Sequence, residues 1–442
     1  MNPMQSTQIS RSEQLFDRAK KVLPGGVSRY TIYRSPYPIY VSHGEGCRVV
    51  DLDGNVRIDF ANNMASLIHG HAHPKIVAAV SEQLSKGTAF TLATEAEVLH
   101  AELMCDRVSS FDKICFMNSG TEAVMAAIKA ARSFTGRPKI AKIEGSYHGT
   151  YDYAEVSQKS SPENWGQVES PASTPVSKGT PQGALDDVVV LPLNNVALAL
   201  ARLNQHADQI ACVLLDPLPH RVGLIPASDE FVRAIRKWTR DNDALFVLDE
   251  VITFRMGYGG AADWFDEEFD LTAMGKIIGG GFPVGGLAGA GEVMSVLDPG
   301  QKKVPFPFSG TFSANPITMT AGRVAMELYD RAAVDRLNKL GEFARARLQE
   351  VIRSVGAAAS VTGAGSMLRV HLKPTAPTDY RSAYTNEAET ARIRFLVDYM
   401  FDHGFILMNT CSAALSTAMT ESEIEALATT MGEGLVAEAN RQ

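Results

Sequence analysis

Residues 244–251 read ALFVLDEV: five apolar residues that break off into two carboxylates, Asp249 and Glu250. An apolar run this short has the length of a strand buried on both faces rather than that of a helix. Four more runs of the kind, Lys113–Met117, Lys139–Ile143, Asp187–Leu191 and Ala211–Leu215, alternate with helical patterns between about residues 75 and 325. That alternation predicts an α/β fold with a mostly parallel sheet covered on both sides. Ligands of such sheets bind beyond the carboxyl ends of strands, where Asp249 is placed to hold a cationic group. A helix cap or a structural ion pair is the commoner use of a lone carboxylate there.

The flanks read differently. Leu15, Phe16, Ala19, Val22 and Leu23 recur at helical spacing, so a helix is expected up to Pro24-Gly25-Gly26. The alternating stretch 37–60, YPIYVSHGEGCRVVDLDGNVRIDF, predicts short antiparallel strands with Asp53-Gly54 in a hairpin turn. Past residue 325, helices mix with short strands in VTGAGSMLRVHL and GFILMNT. With 442 residues the chain suggests two domains. Residues 71–328 form the expected large one, and residues 1–70 join 329–442 in a smaller α+β domain. One segment breaks the rhythm. Residues 156–183 are rich in Ser, Pro and Gly, which suits either a loose surface loop or a lid over a site.

Composition narrows the partners. The 50 acidic against 42 basic residues give a net charge of −8, which argues against nucleic acid or an anionic membrane as the main partner. Five scattered cysteines without a C-x-x-C pair suit a reducing compartment. The stretch MNPMQSTQISRSEQ lacks the apolar core of a signal peptide, and no run approaches the roughly 18 apolar residues of a membrane helix. A cytoplasmic protein is the expectation.

Two further stretches carry chemistry. In NSGTEA, residues 118–123, Ser119-x-x-Glu122 forms a capping box that opens a helix, and Gly120 leaves its amides approachable by an anion such as phosphate. Capping boxes are common, and most bind nothing. In GKIIGGG, residues 275–281, Lys276 stands alone among apolar residues and glycines. Desolvation would lower its pKa and make the amine a nucleophile, although a lone lysine is far more often a solvated charge. A phosphate-loop reading fails because Ile277 follows the Gly-Lys pair, and no G-x-G-x-x-G follows a first strand. Histidines 69, 71 and 73 invite a metal reading, but no metal site is expected there.

Five strings in order, NSGTEA, GSYHGTYD (145–152), LDEV (248–251), GKIIGGGFPVGG (275–286) and GTFSANP (310–316), resemble class III (subgroup II) aminotransferases. The resemblance is nearest to the glutamate-1-semialdehyde 2,1-aminomutase-like branch. It runs from PGGVSR at residue 24 to about residue 325, and more loosely beyond. It implies fold type I of the pyridoxal 5′-phosphate enzymes, with Lys276 holding the cofactor as a Schiff base and shuttling protons. By the same resemblance Asp249 pairs with the pyridine nitrogen, Val251 packs on one face of the ring, and Tyr147 stacks on the other beside His148. Ser119, Gly120 and Thr121 seat the phosphate. Thr311 reaches the phosphate of a neighbouring subunit, which implies a homodimer with shared sites. His71 and His73 fall in GHAHP, residues 70–74 directly after His69, a structural turn in the family.

The chain also departs from the aminomutase pattern. SRYTIYR, residues 28–34, stands where that branch reads Asn-Ser-Pro-Val-Arg, and no tryptophan occurs around Asn63 to Ser66. Asp216-Pro217 replaces Glu-Pro, and Arg221 is added nearby. An aminotransferase is therefore expected, passing an amino group from an amine or amino acid, such as a β-amino acid, to a keto acid through pyridoxamine phosphate. Arg29, Arg34 and Arg221 are its candidate carboxylate-binding residues. Intramolecular transfer of the aminomutase kind is the alternative.

Overall fold

The structure is a computed structural model that describes residues 10–441. The first nine residues of the expected N-terminal segment lie outside them. Its centre is a sheet of seven strands: β1 Lys113–Met117, β2 Lys139–Ile143, β3 Val188–Leu191, β4 Ile210–Leu215, β5 Leu245–Asp249, β6 Leu271–Gly275 and β7 Gly285–Gly289. Their spatial order is β1-β7-β6-β5-β4-β2-β3. Every pairing is parallel except the two made by β7.

Both faces of this sheet are covered, which is why its strands are mostly apolar. Leu245 and Val247 of β5 face one core, together with Ala123, Val124, Ala127 and Ala131 of the helix Gly120–Thr135. Phe246 and Leu248 face another, packed by Phe231 and Ile235 of the helix Asp229–Asp241 and by Leu203. Small alanines let the helix Gly120–Thr135 lie close against the strands. The helix stops at Gly136, whose φ of +72° forms a left-handed cap donating to the Arg132 carbonyl.

The two ends of the chain meet in a four-stranded sheet. Arg48–Asp51 and Val56–Asp59 form the expected hairpin, Val41–Glu45 pairs with the former, and Phe405–Ile406 runs parallel to Val56–Asp59. A third sheet joins Ser360–Thr362, Met367–His371 and Ser412–Ala414. Arg34 and Arg57 sandwich the Phe401 ring at 3.8 and 4.0 Å and so tie the N-terminal segment to the helix Glu387–Asp402. No helix among the described residues is long and apolar enough to cross a membrane.

Two expectations need correction. The first helix, Arg11–Ala19, ends five residues before Pro24, because Val22 is 78% exposed and has no core to meet. The stretch 156–183 is neither loose nor part of the main cleft. Its root, Val156 to Gln158, is buried, and Trp165 packs edge-on against Tyr380 and Tyr384. Arg381 donates to the carbonyls of Trp165, Gly166 and Gln167, while the Tyr380 hydroxyl donates to that of Ser160 at 2.6 Å.

Candidate active site

A cleft of about 370 Å³ opens beyond the carboxyl ends of β1, β2, β4, β5 and β6. Each of those strands delivers residues to it, as ligands of such sheets bind beyond the carboxyl ends of strands. Ser119, Gly120 and Thr121 come from the end of β1, Tyr147 and His148 from β2, Asp249 and Val251 from β5, and Lys276 from β6. These are eight of the residues picked out from the sequence, and one cleft gathers them.

The anion seat is built from a helix start. The Ser119 hydroxyl accepts from the Glu122 amide at 3.1 Å and the Ser119 carbonyl from the Ala123 amide, which leaves the Gly120 and Thr121 amides. The expected capping box is altered in one respect: the Glu122 carboxylate accepts from the Asn118 amide at 2.8 Å rather than from that of Ser119. Gly120 is required by close approach, since a Cβ there would lie 2.6 Å from Val251 Cγ1.

At the end of β5 the two carboxylates diverge. Asp249 faces the cleft, where its Oδ2 accepts from His148 Nδ1 at 2.6 Å and its Oδ1 from the Val251 amide at 3.0 Å. Burial pushes the His148 imidazole below its usual pKa, against the pull of Asp249, and its Nε2 is buried without a partner. His148, next to Tyr147 in the chain, thus backs Asp249. Glu250 turns inward to accept from the amides of Ala261 and Ala262, and burial pushes its carboxyl up to about 7.

Lys276 begins where β6 ends, with φ at +49°, a backbone state that non-glycine residues adopt mainly where surroundings enforce it. Burial lowers its amine to about 8, although Asp249 and Asp216 both pull it upward. Asp216 also lines the cleft, and its Oδ1 accepts from the Leu218 amide at 2.9 Å. Burial, and then the charge of Asp249, raise its carboxyl well above the ordinary range. The sequence marked Asp216 only as a departure, although it follows the apolar run Ala211–Leu215 just as Asp249 follows its own.

The remaining candidates separate. Arg29 Nη1 donates at 2.8 Å to Oδ1 of Asn63, itself a cleft residue, so this guanidinium sits at the rim. Arg34 is engaged elsewhere, 2.7 Å from Asp398 and stacked on Phe401. Arg221 lies over the Tyr147 ring at 5.1 Å. Thr311 is exposed and lines a separate small hollow with Phe90 and Leu92, which are 54% and 81% exposed. Of the histidine cluster, His69 bridges Thr417 and the Ala325 carbonyl, and His71 pairs with Asp59 at 2.9 Å.

An amine of lowered basicity, a backed carboxylate and a helix-start anion seat at strand ends around one cleft define a pyridoxal-phosphate transferase of fold type I. The chain belongs to the class III aminotransferases, whose family model matches residues 31–420. Glutamate-1-semialdehyde 2,1-aminomutase of Methanothermobacter thermautotrophicus is 38% identical over 374 residues, 84% of this chain and 86% of that protein. An omega-transaminase from Sphaerobacter thermophilus superposes with a TM-score of 0.95 at 45% identity, over 98% of this chain and 99% of that one. A beta-phenylalanine aminotransferase from Variovorax paradoxus does so at 0.87 and 30%, over 97% and 94%. The cofactor is pyridoxal 5′-phosphate, and the open floor at Gly120 and the buried Asp249–His148 pair fit it.

Proposed function

We propose that this chain is an aminotransferase that takes the amino group of a β-amino acid and delivers it to a keto acid. The observation that carries the reading is the placement of Arg29 at the cleft rim, with Lys276 and Asp249 facing the same cleft. The likeness to an omega-transaminase and a beta-phenylalanine aminotransferase supports it.

Bound pyridoxal phosphate supplies a ring that spreads the negative charge formed when a proton leaves the carbon beside the amine. In this reading the Lys276 amine holds the cofactor and, once displaced by substrate, moves that proton. Asp249, oriented by His148, keeps a proton on the ring nitrogen. Val251 and Tyr147 bracket the ring, Arg221 steadies Tyr147 from behind, and Ser119, Gly120 and Thr121 hold the phosphate. Arg29 binds the substrate carboxylate, whereas Arg34 is committed to Asp398. Thr311, among exposed apolar residues, serves the phosphate seat of a second copy, so the working unit is a homodimer. The cleft lies mostly in a large domain of residues 71–328, while residues 1–70, which add Asn63 and Ser66 to its wall, join 329–442 in the smaller one.

Intermolecular and intramolecular transfer differ in what happens without an acceptor. Loaded enzyme mixed with 3-amino-3-phenylpropanoate alone is expected to release one equivalent of keto product per site and stop, and to resume when pyruvate or 2-oxoglutarate is added. Continuous isomerisation of an amine without any acceptor would overturn the proposal in favour of the aminomutase reaction.

The phosphate seat has its own test. Gly120→Ala forces Val251 aside at a cost of about 1–3 kcal/mol, so cofactor affinity measured by equilibrium dialysis is expected to weaken about ten-fold or more. Adding Val251→Ala restores most of it. An unchanged affinity in Gly120→Ala would place the cofactor elsewhere.

A further inference from the structure

Asn62, Asn63, Met64 and Ala65 hold φ angles of +45°, +49°, +57° and +65°. Four consecutive non-glycine residues in the left-handed region form a turn that L-residues adopt singly and seldom in series. Such strain persists only where the surroundings over-determine it. Here Asp59 Oδ1 accepts from the amides of Ala61 and Asn62, each at 2.9 Å. The Asn62 side chain donates to the Ala414 carbonyl at 2.6 Å, and Arg255 donates to that of Ala65 at 3.3 Å. The turn closes on itself through bonds from Ala65 and Ser66 back to Ala61 and Asn62.

What this rigid turn presents is the side chain of Asn63, on the cleft wall. The Ser66 hydroxyl donates to the Asn63 carbonyl at 2.9 Å, so its oxygen must accept from Asn63 Nδ2 at 3.0 Å. That fixes the amide with Oδ1 outward, where it receives Arg29 Nη1 at 2.8 Å. Arg29 is otherwise exposed, and its acceptor is neutral. A carboxylate in that place would cancel the charge of the guanidinium. A carboxamide aims it and leaves the charge to be used.

We propose that Asn63 is a positioning residue for substrate selection: the left-handed turn holds it as a neutral rest that aims Arg29 at an incoming carboxylate. The inference rests on the reading of Arg29 as the carboxylate clamp. Two substitutions probe it without disturbing the backbone, because glycine and aspartate both tolerate left-handed φ. Asn63→Gly removes the rest. Asn63→Asp supplies a fixed anion that occupies Arg29 and repels substrate.

The experiment uses the full-length, cofactor-loaded enzyme with a saturating keto acid. It compares kcat/KM for 3-amino-3-phenylpropanoate with that for 1-phenylethylamine, the corresponding amine without the carboxylate. Arg29→Gln is expected to lower this ratio by about 30-fold, as for a lost charge-assisted hydrogen bond. Asn63→Gly lowers it about five-fold, through KM and not kcat, and adds nothing in the Arg29→Gln background. Asn63→Asp lowers it at least as far as Arg29→Gln. If Arg29→Gln collapses the ratio while both Asn63 variants leave it unchanged, the inference is wrong and the clamp stands. Equal losses on both amines would make Asn63 merely structural and also overturn it. An unchanged ratio in Arg29→Gln removes the clamp, and the inference with it.

Discussion

Lys276→Ala is expected to lower turnover by about four orders of magnitude or more, the upper range for removing a group that is both proton carrier and nucleophile. The fold should survive, because the side chain faces a cleft and makes no hydrogen bond among the described residues. The variant should also lose the visible absorbance that marks the covalently held cofactor. A pH signature accompanies it. The neutral amine is the reactive form, and burial lowers Lys276 to about 8, against about 10.4 for a lysine in solvent. Reductive labelling of the cofactor-free protein by an aldehyde should therefore rise at this residue from pH 7 and level off above about 8. Peptide mapping of the labelled lysine checks it. Labelling that keeps rising beyond pH 10, or Lys276→Ala enzyme that still turns over at a tenth of the normal rate, would refute the assignment.

Much of this site could be read before any fold was known, and the reason is local. Lys113–Met117, Lys139–Ile143 and most of the other three apolar runs stand as strands because burial on both faces favours a largely apolar sequence. Their carboxyl ends then place Asp249, His148 and Gly120 around one point. The strands Leu271–Gly275 and Gly285–Gly289 escaped notice because LTAMG and GGLAG carry few residues that favour strands. Gly285 is there for proximity: a Cβ would lie 2.1 Å from the Ser119 carbonyl oxygen.

Long-range contacts explain what stayed hidden. The left-handed turn at Asn62–Ala65 depends on Asp59, Ala414 and Arg255, which no window of sequence connects. Lys142 lies inside a strand, where a charge looks like a solvated edge residue. It is fully buried and donates to the carbonyls of Ser146 and Val156 at 2.9 and 2.6 Å, fixing the turn that carries Tyr147 and His148. Burial, reinforced by Arg221, lowers its amine to about 7. The Ser- and Pro-rich stretch 156–183 reads as loose because composition reports few apolar residues, yet Trp165 and the Arg381 guanidinium pin it.

Asp249→Ala carries the second large expectation, and its logic is electrostatic. The carboxylate sits at the end of β5, 4% exposed, with His148 at 2.6 Å holding one oxygen and the Val251 amide the other. A fixed negative charge in so dry a place favours a proton on any basic nitrogen brought against it, and at no reorganisation cost during the reaction. Its removal should reduce kcat about 10²- to 10³-fold, as for loss of one preorganised electrostatic partner. It should also lower stability by about 1–3 kcal/mol, since His148 Nδ1 is left buried and unpaired. The Lys276 amine loses one of the acids that raise it, so its labelling curve should move to lower pH. A pure packing defect would produce the stability loss alone. The decisive control is N-methylated pyridoxal phosphate, whose ring nitrogen carries a permanent positive charge and needs no carboxylate to keep it. In Asp249→Ala, which has room for the added methyl, this analogue should recover at least ten-fold of the lost turnover. Wild-type enzyme should gain nothing from it. If the analogue restores no more turnover in Asp249→Ala than it adds in wild-type enzyme, Asp249 acts on something other than the ring nitrogen.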